Sequence, residues 1–313
     1  MEMIAAGKKI LLENMKLKAG ERVLVVTDTV QEEFGEALFE AALQLDCEPM
    51  IMKMKPRDKS GQEPPQAVAN AMEKADIVLL FTLESLSHTR AKKKANECGA
   101  RVASSPGMTR EVMLGGGMTA DYESITTAAR KLAERLQGSK EAIVRSKSGT
   151  NLRLDLRGRT WLTETGICGP GATVNLPSGE VYIAPRGAEG ILVVDTTMKP
   201  LNRLHSPIKM VVEKGKVVSF AGEGSEELER IVKETGEEAR NIAELAIGMN
   251  PAIKEFTGVT LQDEKVAGTL HVAIGDSSTI GGNVEADIHF DGIIAEEPEL
   301  IVDGEKIELP SRE

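Results

Sequence analysis

Residues 76–82 read "DIVLLFT", a run in which five apolar side chains follow one another without a polar break. Successive side chains on a strand point to opposite sides of its sheet, so a strand of this kind must bury both faces. "ERVLVVTD" at 21–28 has the same texture. Segments with helical spacing lie around these runs: "MIAAGKKILLENM", "QEEFGEALFEAALQL", "PQAVANAMEKA", and further stretches around 85–97 and 120–136. "EPMIMKMK" and "ARVASSP" supply two more extended pieces. Repeated strand–helix units with doubly buried strands predict an α/β domain whose mostly parallel sheet is covered on both sides.

After "LQGSK" the pattern changes. "EAIVRSKSGTNLRLDLRG" reads as two alternating strands about a Ser–Gly turn, and "SPIKMVVEKGKVVSFAG" repeats the pattern about Lys214–Gly215. One helix interrupts, "SEELERIVKETG", with Ser225 as its expected N-cap and Gly236 as its stop. Strand-rich segments then run to the end. The expectation is two domains, an α/β domain over 1–138 and an α+β domain over 139–313 with a largely antiparallel sheet; 313 residues suit that division. No internal repeat or low-complexity tract is present.

Several function classes are disfavoured. The turn after "ERVLVVTD" has neither G-x-G-x-x-G nor G-x-x-x-x-G-K-[ST], and "GGG" at 115–117 reads as a loop. A net charge of −11 and only 3% aromatic residues argue against a nucleic-acid partner, which needs a basic surface and stacking platforms. The basic run "TRAKKKANECG" reads as the solvated face of a helix. No apolar run approaches the roughly 20 residues of a membrane span. The N-terminal segment mixes charges into its apolar pattern, unlike a signal peptide, so a cytoplasmic protein is expected. Cys47, Cys98 and Cys168 are widely spaced and read as free thiols of a reducing compartment.

The chemistry is concentrated near the C-terminus, in "GTLHVAIGDSSTIGGNVEADIHFDGII". Strand parity puts Leu270, Val272 and Ile274 on one face and His271 on the other. The same reasoning places His289 and Asp291 side by side, about 7 Å apart, opposite Ile288 and Phe290. In "NIAELAIGM" the carboxylate of Glu244 lies across from Ala243, Leu245 and Ile247. In "NLPSGEVYIAP" Glu180 opens the face opposite Val181 and Ile183. A carboxylate in so apolar a run is costly unless paired. Two imidazoles with three carboxylates suit a borderline divalent ion such as Zn, Co, Mn or Fe, and exceed what one catalytic zinc requires. The ordinary alternative is five unconnected strand residues, each hydrogen-bonded or solvated on its own.

"NLPSGEVYIAP", "NIAELAIGMNP", "DEKVAGTLHVAIG" and "IHFDGII" resemble, in order and content, the motifs of the aminopeptidase T family of M29-type metallopeptidases, often called leucyl aminopeptidases. The resemblance covers most of 160–300. It implies a dinuclear metal site on Glu180, Glu244, His271, His289 and Asp291, with Glu180 as ligand or general base. It further implies two Zn, Co or Mn ions, a metal-activated water, short peptides as substrates and a homodimer. The larger members carry a tyrosine where this chain has Ser278, and Tyr182 does not match that position. A sister group of similar fold uses one Fe(II) and O₂ to open dihydroxypyridine rings. His271, His289 and Asp291 alone would make the two-histidine, one-carboxylate set of such oxygenases. Three functional expectations therefore stand: an aminopeptidase first, an Fe(II) ring-cleaving dioxygenase as its alternative, and a non-catalytic metal-binding homologue.

Overall fold

The computed structural model describes residues 1–312, which divide into two compact units. The first comprises residues 1–126 and 165–178. Its sheet has five strands, all parallel, in the order Cys47–Met54, Glu21–Asp28, Ile77–Phe81, Arg101–Ser104, Thr173–Asn175. Every residue of Ile77–Phe81 is fully buried, as its unbroken apolar run requires. Leu24, Val26, Val78, Leu80 and Val102 pack with Val68, Met72, Ala91 and Ala95 from helices Gln66–Met72 and Arg90–Glu97. Thr27 points to the other side, where its hydroxyl donates to the Gln31 carbonyl oxygen just before helix Glu32–Leu43.

The second unit comprises residues 127–164 and 179–313 and contains two antiparallel sheets of seven strands each. One runs in the order Lys216–Gly222, Ile208–Glu213, Gly187–Val194, Asn151–Asp155, Glu141–Arg145, Glu299–Val302, Glu305–Ile307. The other runs Asn202–Arg203, Thr197–Met198, His289–Ile294, Leu270–Gly275, Ile242–Gly248, Glu180–Ile183, Leu162–Glu164. Their apolar faces meet. A Cβ built on Gly292 of the second sheet would lie 2.4 Å from Val194 of the first, so only hydrogen fits there. With a parallel α/β unit followed by antiparallel sheets, the fold class is the one the sequence pattern predicts.

Two details differ from the sequence expectation. The division falls at Thr126, inside helix Tyr122–Leu136, rather than at Gly138, and residues 165–178 return to the first unit. The returning strand Thr173–Asn175 has three residues, too few to give a periodic signal, and its parallel pairing with Arg101–Ser104 is wholly non-local. Ser225 is the first helical residue of Ser225–Thr235 instead of its cap. Gly224, at φ 69°, takes the cap position because a left-handed backbone there favours glycine.

Candidate metal centre

The polar groups stand on one face of the second sheet of the second unit, and strand register decides which neighbour each one meets. Glu164, Glu180 and Gly248 form one row across the strands. The next row is Leu162, Tyr182, Ala246, His271 and Ile293. Glu244, Ala273 and Asp291 form the third. His289 stands one step further, opposite Gly275. Rows on one face are about 7 Å apart, within reach of Glu and His side chains leaning toward one another. Gly248, Ala246 and Ala273 carry little or no side chain, which leaves the middle of this floor bare for ligand atoms from the rim.

All five residues expected from the sequence converge here. The His271 Nε2 atom is 3.3 Å from Glu180 Oε2 and 3.8 Å from Glu244 Oε1. His289 Nε2 is 3.1 Å from Glu244 Oε2 and 3.3 Å from Asp291 Oδ1. His289 Nδ1 lies 2.7 Å from the backbone carbonyl of Asp276. A carbonyl can only accept, so Nδ1 carries the hydrogen and donates, which turns Nε2 toward the carboxylates. Glu180, Glu244 and His271 are buried, whereas the side chains of His289 and Asp291 keep 25% and 15% exposure. The open side of the cluster is therefore the His289–Asp291 side.

Four further residues, Lys265, Glu264, Glu164 and Asp263, lie outside what strand parity in the sequence marks. Lys265, only 1% exposed, sends its Nζ to within 2.6 Å of Glu180 Oε1, 2.7 Å of Glu264 Oε1 and 3.1 Å of Glu164 Oε2. Glu264 is buried as well. Their trace in the sequence is the charged triplet in "DEKVAG" immediately before the histidine strand, which by itself reads as a solvated run, since Lys and Glu are almost never fully buried unless paired. Asp263, the first of the triplet, has a separate structural task. Its carboxylate accepts hydrogen bonds from the backbone nitrogens of Thr257 and Gly258 and from the hydroxyls of Thr197 and Thr257. Ser278, at the position of the aminopeptidase tyrosine, donates to Asp276 Oδ1 on an exposed turn.

The protonation equilibria follow from burial set against charge. Burial alone would raise the Glu180 carboxyl, but the Lys265 ammonium and His271 overcome it and hold the value at about 2. Asp291 is likewise depressed, burial being outweighed by His289 and His271. Burial opposes charge on His271 and His289, yet the facing carboxylates pull both imidazoles well above their ordinary range. Glu264 goes the other way: burial, with Asp291 and Glu180 nearby, raises it despite Lys265. Tyr182 shares the face of Glu180, and burial plus the charges of Glu164, Glu180 and Glu244 keep its phenol protonated.

The donors suit a divalent cation. Buried Glu180 Oε2 accepts no hydrogen bond, yet it faces His271 Nε2, an arrangement that calls for a shared cation or proton. Among the described residues, three sets have ligand atoms within 4.8 Å of one another: Glu180–Glu244–His271, Glu244–His289–Asp291 and Glu264–His271–Asp291. The two imidazoles fall in different sets, linked through Glu244 and Asp291.

Imidazoles and carboxylates converging on a bare sheet floor, in a two-unit α/β and antiparallel fold, define the class as a candidate divalent-metal enzyme. The chain belongs to the family described as NicX, 2,5-dihydroxypyridine 5,6-dioxygenase, whose model matches residues 3–309. Its structure is similar to that of 2,5-dihydroxypyridine dioxygenase from Pseudomonas putida KT2440, with a TM-score of 0.79 and 20% identity over 98% of this chain and 95% of that one. It is also similar to AmpT from Thermus thermophilus, an M29 aminopeptidase, with a TM-score of 0.74 and 20% identity over 99% and 98% of the two chains. A comparison with curated proteins gave no match. The fold of aminopeptidase T expected from the motifs is thus shared, while the family is the dioxygenase one.

Proposed function

We propose that the protein is a mononuclear Fe(II) dioxygenase that opens a dihydroxylated pyridine ring, the alternative among the sequence expectations. The observation that carries this reading is the dioxygenase family match over residues 3–309. The ligands in this reading are His271, His289 and Asp291, a ligand type that leaves positions open for small molecules. Bound Fe(II) would supply one-electron exchange with O₂, which lets both oxygen atoms enter the cleaved ring bond. The protein's own groups do the rest. The Asp276 carbonyl holds the His289 ring in orientation. Glu244, 3.1 Å from His289 Nε2, adds a further anionic group on the metal side of the same imidazole. Tyr182, held protonated, offers a hydrogen-bond donor to a ring oxygen. The open His289–Asp291 side admits the planar ring.

The direct test is O₂ uptake and loss of ring absorbance when the Fe(II)-loaded protein meets 2,5-dihydroxypyridine and related dihydroxypyridines. Absence of both with iron bound would sink the reading. The aminopeptidase reading is favoured by one specific observation. Glu180, Glu244, His271, His289 and Asp291 supply overlapping ligand sets that suffice for two ions sharing a carboxylate. It predicts release of N-terminal residues from short peptides with Co²⁺, Mn²⁺ or Zn²⁺, and two ions per chain.

A further inference from the structure

The cluster holds more carboxylates than one ion can use, and three of them converge on one buried ammonium. Lys265 Nζ approaches Glu180 Oε1, Glu264 Oε1 and Glu164 Oε2 at 2.6, 2.7 and 3.1 Å. Three carboxylate oxygens around one positive centre, shut off from solvent, form the coordination sphere of a cation. Here the cation is tethered to the chain. Of the three candidate ligand sets, two contain a carboxylate that Lys265 already engages, Glu180 in one and Glu264 in the other. The set Glu244–His289–Asp291 contains neither, and it lies on the open side.

We infer that Lys265 takes the place of a second divalent ion, leaving the single metal of the mononuclear reading on the open His289–Asp291 side. The inference deepens the mononuclear reading and rests on it; what it adds is the tethered cation that fills the second position. A divalent ion next to Glu180 and Glu264 would stand within a few ångströms of the ammonium, and like charges that close in a buried site repel strongly. The main chain at the base of the lysine is held in place. Its carbonyl accepts from Asn250 N at 2.8 Å, its amide donates to the Gln262 carbonyl at 3.0 Å, and the preceding Glu264 amide bonds the Thr260 carbonyl at 3.0 Å.

The experiment is metal stoichiometry. The purified full chain is titrated with Mn²⁺ and, separately, Co²⁺, and bound metal is counted by native mass spectrometry and by elemental analysis after desalting. The wild-type protein should saturate at one ion per chain. Lys265→Ala removes the ammonium, opens space and leaves Glu180, Glu264 and Glu164 without their shared cation, so it should saturate at two. Lys265→Ser is the second variant should the first not fold, as judged by circular dichroism. Two ions on the wild-type chain would overturn the inference whatever the variants do, and so would one ion on either folded variant. Failure of the dioxygenase reading looks different: one ion on the wild type, two on the variant, and no O₂ uptake with dihydroxypyridines.

Discussion

His289 and Asp291 occupy alternate positions of one strand, so a single backbone geometry presents both to the same ion without strain. His289→Ala should remove the open-side imidazole at little packing expense, because Ile288 and Phe290 are untouched. Asp291→Asn replaces an anionic ligand by a neutral amide of the same shape. Both variants should lose most bound metal, and turnover should fall by two or more orders of magnitude, while circular dichroism stays that of the wild type. Full metal occupancy in both by elemental analysis would remove this pair from the site. Asp263 supplies the contrast at this scale: it is buried among four donors and reaches no metal group. Sequence alone could not separate it from Glu264. The two are adjacent carboxylates, and which one faces a backbone turn and which an ammonium is decided by the chain around them.

Among elements, strand Ile242–Gly248 connects the ligand rows, and its last residue sets how closely the lysine segment approaches. A Cβ on Gly248 would lie 2.1 Å from the Val266 carbonyl oxygen and 3.0 Å from that of Glu264. Gly248→Ala should therefore push residues 264–266 away from the sheet floor and destabilise the protein by about 1–3 kcal/mol, the usual cost of overpacking. Urea denaturation followed by fluorescence or circular dichroism measures this, and an unchanged midpoint would contradict it. In the first unit, Asp76 ties the starts of two parallel strands together. Its Oδ2 accepts from the Arg22 backbone and Nε, and its Oδ1 from Nη2. The Arg22 side-chain hydrogen bond leads over burial in holding the Asp76 carboxyl at about 2. A depressed folded value means that the stabilisation is complete above the unfolded carboxylate range, near 4, and is lost as pH falls toward 2. Asp76→Asn should make the unfolding midpoint of this unit less sensitive to pH across that window. Hydrogen exchange of strands Glu21–Asp28 and Ile77–Phe81 at pH 4 and pH 2.5 reads the difference.

At the scale of the whole molecule, the candidate metal ligands all belong to the second unit, so metal linkage should stabilise that unit alone. An ion at 100 times its dissociation constant contributes about 2.7 kcal/mol to the unit that binds it. Chelation should accordingly lower the protection of strands Leu270–Gly275 and His289–Ile294 in hydrogen exchange and leave Ile77–Phe81 unchanged. Equal loss in both units would contradict that confinement. Among the described residues no helix is long and apolar enough to cross a membrane. A homodimer is the expectation carried by the aminopeptidase resemblance, and light scattering at working concentration tests it.

The amino-acid sequence by itself determined the two textures of the fold and marked five polar residues, Glu180, Glu244, His271, His289 and Asp291, each opposite an apolar strand face. Apolar periodicity and strand parity are local properties: "DIVLLFT" can only be doubly buried, and His289 and Asp291 can only share a face. Tertiary structure alone decided which strands became neighbours, because pairing across the chain carries no periodic signal. That is why the return of Thr173–Asn175 to the first unit is illegible in the sequence, and why nothing there marks Lys265. A lysine beside a glutamate in sequence is normally a solvated pair. It becomes a buried cation only when Glu180 and Glu164, paired across two strands far from it in sequence, are brought to its ammonium.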